Sequence, residues 1–259
     1  MPEPEDPDLA LLRDAARAAG MIARRHFRTE MKVEHKPGGA GPVSVADIEI
    51  DTMLRNRLLA ARPGYGWLSE ETPDSRARQG ASAVFIVDPI DGTRAFIDGQ
   101  DSFAHSLAVA RDGSVTAAVV YLPQMDLLFQ AVPGSGAWLN GAQIRAGDAG
   151  LEGARVLAGK PQLAPELWPG GVPPVERHFR PSLAWRMCLV AEGRFDAMIT
   201  LRDAWEWDIA AGALIAAEAG ARVSDRHGQP LRFNSEAARS PGVLAAGPGI
   251  HAGLLARLV

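Results

Sequence analysis

The chain has 259 residues, 47% of them hydrophobic, which is enough for a substantial core in one large domain or two smaller ones. Its 27 basic and 31 acidic residues leave a net charge of -4, so there is no cationic track for polymeric nucleic acid, although a small anionic substrate needs only a local positive site. A single cysteine, Cys188, excludes an internal disulfide and a multi-cysteine zinc site; no uncharged apolar run approaches the roughly 18 residues of a membrane span, and a soluble cytoplasmic protein is the expectation.

The start, MPEPEDPDLA, is acidic and proline-rich and reads as a short flexible lead. Leu11, Leu12, Ala15, Ala18, Ala19 and Ile22 recur at helical spacing and predict a helix over 8–26. The stretch MKVEHKPGGAGPVSVAD then breaks into glycine and proline and reads as a mobile loop, with 36–43 placed to close over a site. Ile50, Leu54 and Leu58 mark one face of a second helix, over 46–60.

After Pro63-Gly64 the period changes. YGWLSEE reads as a short strand ending in two acids, and 83–87 as a buried strand that stops at Asp88-Pro89. Residues 103–110 and 114–121 form strands joined by the Asp112-Gly113 hairpin turn, and 127–132 continues an antiparallel meander. The second half alternates: strands over 155–158 and 196–199, a helix over 183–192, a strong helix over 209–219, then two short strands and a helix over 250–258. Asp208 reads as the cap of the strong helix and Gly220 as its left-handed stop. The mixture implies layered α and β in two subdomains, 1–140 and 141–259.

Four places put carboxylates at the ends of buried elements: Glu70-Glu71, Asp88, Asp91 and Asp208. Each has an ordinary reading as loop solvation, a turn former or a helix cap. In FIVDPIDGTR, Asp88, Asp91 and Thr93 lie in a segment stiffened by Pro89 and freed by Gly92. Such a turn can fold Asp88, the Ile90 carbonyl and Asp91 around one point, an oxygen set suited to Mg2+. Glu70 follows a strand that can lie beside 85–87, and Asp208 can close the ring from the second half. Two or three ions held this way would bind phosphate oxygens, acidify a water and stabilise a leaving oxygen. Glu70 and Thr93 are suitable partners for that water, and the turn after Gly92 would offer free N–H groups to a phosphate.

LSEE (68–71), VDPIDGT (87–93) and WDIAAGALIAAEAG (207–220) resemble the three signatures of the inositol monophosphatase superfamily, in the family's order and across most of the chain. HKPGGAGPVSVAD (35–47) resembles its N-terminal lysine-to-aspartate segment. The resemblance implies an α+β fold, a layered αβαβα sandwich, and a Mg2+-dependent, often lithium-inhibited phosphomonoesterase that is commonly a homodimer. It implies metal ligands at Glu70, Asp88, the Ile90 carbonyl, Asp91 and Asp208, and a water-activating pair in Glu70 and Thr93. It implies an acid near a more weakly held ion in Asp47, a mobile-loop lysine in Lys36, and backbone N–H groups for the phosphate at Gly92 and Thr93.

For the substrate, SLAWRMCLVAEGRFDA (182–197) and WEWD (205–208) resemble the bacterial 3'(2'),5'-bisphosphate nucleotidases, in which reading Arg186 meets a second phosphate. Adenosine 3',5'-bisphosphate is therefore the first expectation. Inositol 1-phosphate, histidinol phosphate or a range of sugar phosphates are the alternatives. Trp205 and Trp207 would either shape an adenine pocket or pack the entry to the last long helix, and His105 is either packed or a substrate contact. A Mg2+- or phosphate-binding protein without turnover is the non-enzymatic alternative, and a scaffold in which the acids only turn and cap the chain is another.

Overall fold

The computed structural model describes residues 5–30, 32–36 and 41–258. Helix α1 (Pro7–His26) begins inside the stretch read as a flexible lead, because Asp6 accepts from the N–H groups of Asp8 and Leu9, both at 2.8 Å, and Pro7 starts the first turn. Strands β1 (Val33–His35) and β2 (Pro42–Ser44) pair antiparallel, so the ends of the glycine-rich segment form a small ladder. The tip of that segment, 37–40, lies outside the described residues, and with it half of the expected closing loop. Helix α2 (Val45–Ala61) follows directly.

Strands β3 (Gly66–Ser69), β4 (Val84–Asp91), β5 (Ala104–Arg111), β6 (Ser114–Leu122), β7 (Leu127–Ala131), β8 (Ala137–Leu139) and β9 (Ala142–Ile144) form one sheet in sequence order. Only β3 and β4 run parallel. Between β4 and β5 the short helix α3 (Thr93–Ile97) starts after Gly92. Asp112 and Gly113 both take positive φ at the β5–β6 turn, the primed geometry that matches strand twist.

The second half builds a five-stranded sheet in the order β11-β10-β12-β16-β14. Its strands are β10 (Arg155–Ala158), β11 (Glu176–His178), β12 (Ala197–Thr200), β14 (Arg222–Ser224) and β16 (Val243–Ala246), while β13 (Ala204–Trp205) pairs with β15 (Arg239–Ser240) apart from it. Helices α4 (Leu183–Ala191), α5 (Glu206–Glu218) and α6 (Pro248–Leu258) complete the chain.

The layers follow from strand alternation. On β4, Phe85 and Val87 face one core with Leu12, Ile50 and Leu54 of α1 and α2. Val84 and Ile86 face the other, with Cys188 of α4 and Ile209, Ala210 and Ile215 of α5. Met198 and Ala245 of the second sheet pack on that same central helix pair, while Ile199, Leu244 and Ala246 point outward to Ile250 and Leu254 of α6. The order is therefore α1/α2, seven-stranded sheet, α4/α5, five-stranded sheet, α6, the αβαβα sandwich expected from the sequence. No helix among the described residues is long and apolar enough to cross a membrane.

Two local expectations need correction. Strand β4 does not stop at Asp88-Pro89. It runs on to Asp91, because Asp88 pairs with Ser106 and Asp91 with Ala104, leaving one extra residue on β4 as a bulge. The N–H that Pro89 lacks falls at that irregularity, where the ladder tolerates it. Helix α5 begins at Glu206, so Asp208 sits inside its first turn and is not the cap; Trp205 holds the cap position without a side-chain bond. Gly220 does take a positive φ, 96°, immediately after the helix.

Candidate active site

The bulge bends the end of β4 toward a cavity of about 840 Å3 between the two halves. Parallel pairing of Ser69 with Val87, and a bond from Glu70 N–H to the Val87 carbonyl at 3.3 Å, bring Glu70 level with the same strand end. From the other half, the first turn of α5 delivers Asp208. Glu70, Asp88, Ile90, Asp91, Thr93 and Asp208 all line the cavity.

Asp88, Asp91 and Asp208 each present a carboxylate oxygen within 4.8 Å of the others. Asp88 is 1% exposed and Asp91 7%. Burial, and then the neighbouring acids, hold Asp88 and Asp208 well above the usual carboxylate range. Burial likewise raises Asp91, to about 6, against hydrogen bonds from the start of α4: Ser182 Oγ at 2.7 Å and Ala184 N–H at 2.6 Å, both to Oδ2. Asp88 Oδ1 accepts from Ile90 N–H at 2.9 Å. These bonds aim the carboxylates but do not neutralise them. Three acids packed this closely at low exposure fit a divalent cation, and all their free donor atoms are hard oxygens of the kind Mg2+ takes.

Glu70 lies outside that triad. Lys36 Nζ sits 2.7 Å from Glu70 and 2.8 Å from Glu71. Burial pushes Glu71 up to about 7, with the Lys36 hydrogen bond opposing. Thr93 Oγ1 lies 3.1 Å from Asp47 Oδ1 and 3.1 Å from the Ile90 carbonyl. Asp47 is fully buried, and Ser44 binds its other oxygen through N–H at 2.8 Å and Oγ at 2.6 Å. The expected partners Glu70 and Thr93 thus share the cavity, but each is hydrogen-bonded to a different residue.

Gly92 turns the chain at φ 102°, and an added Cβ would meet the Ser102 carbonyl at 3.4 Å. Phe96 is fully buried against Phe103 and Phe27, so it packs the core and does not face the cavity. Arg94 lines the cavity and is exposed.

Arg186 also lines it, with its Nε 2.5 Å from the Arg180 carbonyl and its guanidinium over Phe179. Burial pushes its pKa down to about 10; Asp91 opposes that and Arg202, on the same wall, adds to it. Trp205 stacks on Trp207 at 4.5 Å, and Arg239 lies 3.7 Å from the ring centre. The ring is thus already engaged by an indole and a guanidinium, although Trp205 keeps 37% of its surface exposed. His105 is fully buried and its Nδ1 binds the Pro89 carbonyl, which makes it a packed residue behind the bulge.

Reading the sequence missed three residues near the site. Ser106 Oγ donates to the Trp207 carbonyl at 2.9 Å, tying the residue opposite Asp88 to the residue before Asp208. Glu206 and Arg78, both buried, hold the loop at 234–235. A buried glutamate beside a tryptophan carries a weak sequence signal; an isolated serine in a strand carries none.

Residues 5–259 match the model of the inositol monophosphatase family. An inositol-1-monophosphatase from Rhizobium meliloti (strain 1021) is 38% identical over 76% of this chain and 78% of its own. One of the same name from Mesorhizobium japonicum is 34% identical over 85% and 86%. The crystal structure of extragenic suppressor protein suhB from Bartonella henselae superposes with a TM-score of 0.83 at 30% identity, covering 98% of both chains. The likeness thus extends over every layer and is not confined to the acidic motifs: this chain belongs to the inositol monophosphatase family and is a Mg2+-dependent phosphatase.

Proposed function

We propose that the chain hydrolyses inositol 1-phosphate to inositol and phosphate by direct attack of water. The observation that supports this substrate most is the pair of relatives named inositol-1-monophosphatase, aligned along most of the chain. The nucleotidase expectation rested on WEWD and on the α4 segment. Trp205 is already stacked on Trp207 and touched by Arg239, so an adenine would have to displace one of them to stack on it.

In this reading Asp88, Asp91, Asp208, Glu70 and the Ile90 carbonyl hold the metal ions. Bound Mg2+ supplies positive charge for the phosphate oxygens and lowers the pKa of a water. Thr93 donates its hydroxyl proton to Asp47, which leaves the Oγ1 lone pairs to accept from that water and fix its direction. Asp47, buried and gripped by Ser44, keeps the threonine hydroxyl turned this way. Gly92 and Thr93 offer N–H groups to the phosphate, and Lys36 keeps a positive charge at the cavity edge. Arg186 contributes to the wall that receives the rest of the substrate. A homodimer belongs to the same proposal, as does a division into two subdomains, with the expected boundary at 140/141 moved past β9 (Ala142–Ile144), which pairs into the first sheet.

A second reading is favoured by Arg186 and Arg202 together, since two cations on one wall suit a second anionic group. The test is a side-by-side kcat/KM on inositol 1-phosphate, adenosine 3',5'-bisphosphate and histidinol phosphate. Inositol 1-phosphate is expected to lead. A lead of more than about tenfold, or 1.4 kcal/mol, for the bisphosphate would overturn the first reading in favour of the second.

A further inference from the structure

We infer that Glu206 is a positioning residue that sets Asp208 against Asp88 and Asp91. Asp208 is the one member of the acid triad that comes from the second half of the chain. Its distance from the other two is therefore fixed by whatever holds the start of α5 to the first half.

Glu206 is the first residue of α5 and has no exposed surface. Its N–H bonds the Ala238 carbonyl at 3.0 Å. Its carboxylate accepts from Asn234 N–H at 2.6 Å, from Ser235 N–H at 2.9 Å and from the Ser235 hydroxyl. The same loop is held from the first half by Arg78. Its guanidinium gives 2.8 Å to the Ser235 carbonyl and 2.5 Å to Asn234 Oδ1, and Asp74 braces it with two bonds at 2.8 and 2.9 Å. The backbone of Arg78 packs against Gly66, where an added Cβ would lie 2.9 Å from the Arg78 Cα. Gly66 opens β3, the strand that ends at Ser69, directly before Glu70.

The contacts thus run without a break from β3 through Arg78, the 234–235 loop and Glu206 to the first turn that carries Asp208. Every partner of the Glu206 carboxylate is a donor on one loop, so removing its charge loosens that loop and the helix start together. A carboxylate within three residues of a candidate metal ligand, spent wholly on positioning, acts on metal affinity through geometry alone.

This inference rests on the reading of Asp208 as a Mg2+ ligand, and the experiment separates the two. Mg2+ binding to the full chain is measured by calorimetry without substrate, for the parent, Glu206→Gln, Ser235→Ala and Asp208→Asn. Glu206→Gln is expected to weaken Mg2+ binding by about tenfold. The Mg2+ concentration for half-maximal turnover should rise in parallel, with kcat at saturating Mg2+ within about twofold. Ser235→Ala, which keeps two of the three donors, should shift in the same direction by less, and it serves if Glu206→Gln does not fold. If Asp208→Asn loses Mg2+ affinity while Glu206→Gln and Ser235→Ala lower only thermal stability, the positioning role is wrong. If Asp208→Asn binds Mg2+ like the parent, the ligand reading fails and the inference with it.

Discussion

Thr93 Oγ1 and Asp47 Oδ1 lie 3.1 Å apart, although 46 residues separate them in sequence. The Ile90 carbonyl lies at the same distance from Oγ1, so the single hydroxyl proton has two acceptors, of which only Asp47 can carry a charge; the proposed mechanism has it on Asp47. Asp47→Asn presents an amide that can donate to Oγ1 and reverse its orientation. Turnover is expected to fall about a hundredfold, with KM within about threefold. Steady-state kinetics at saturating Mg2+ measures it, and near-parental kcat would remove Asp47 from the mechanism.

One Asp91 oxygen takes Ser182 and Ala184, and the proposed ligand set gives the other to a cation. Asp91→Asn keeps an acceptor for the α4 donors but removes the charge. The variant should fold, with kcat reduced on the order of a thousandfold, about 4 kcal/mol in the barrier. Circular dichroism together with phosphate release checks both halves of the statement. Strong Mg2+-dependent turnover in the variant would sink the proposed ligand set.

Asp88, Asp91 and Asp208 repel one another where they sit. A cation bound among them should therefore raise the melting temperature. At Mg2+ a hundredfold above Kd the gain is about 2.7 kcal/mol for one site, a shift of several degrees in a thermal melt. Asp208→Asn should shrink that shift. An unchanged melt of the parent with Mg2+ would instead favour the scaffold alternative.

His251 is buried beside Ser224, with Nε2 and Oγ 2.8 Å apart. Burial, and then the charge of Arg222, hold its pKa below the ordinary 6.5. The unfolded chain then binds a proton at a higher pH than the folded chain does. The stability this contributes is complete above the unfolded pKa and is lost as pH falls through 6.5 toward the folded value. Urea unfolding at pH 7.5 and pH 5.5 should show a smaller loss for His251→Gln than for the parent. Equal losses in both would show that other groups set the acid limb.

Gly212 lets α4 and α5 approach closely: an added Cβ would meet the Met187 Cβ at 2.8 Å. That atom is anchored to the backbone and cannot swing away. Gly212→Ala should destabilise by about 1–3 kcal/mol despite its better helix propensity. Thermal or urea unfolding measures it, and a stabilised variant would show that the helix pair can relax.

The layered fold and the three acidic motifs were legible in the sequence because each is local. Helical spacing on α1 and α2 reports which face is buried, the unbroken apolar run at 84–87 reports a strand buried on both faces, and Asp88, Ile90, Asp91, Gly92 and Thr93 lie within six residues. The course of β4 past Pro89 was not legible, because a proline is normally a strand breaker and only pairing with Ser106 and Ala104 absorbs it in a bulge. The helical start at Glu206 was obscured for a similar reason. It is held by a loop some thirty residues away, whose Ala238 carbonyl accepts from the Glu206 N–H and whose 234–235 N–H groups bond its carboxylate, and not by a side chain beside it.

Residue order therefore marked the candidate acids, and the family resemblance supplied the order of the layers. Tertiary structure decided their company. It gave Thr93 to Asp47, Glu70 to Lys36, and Trp205 to Trp207 and Arg239. Those pairings depend on how two sheets and a shared helix pair dock, and docking is set by side-chain volumes summed over whole faces, which no local pattern of residues encodes.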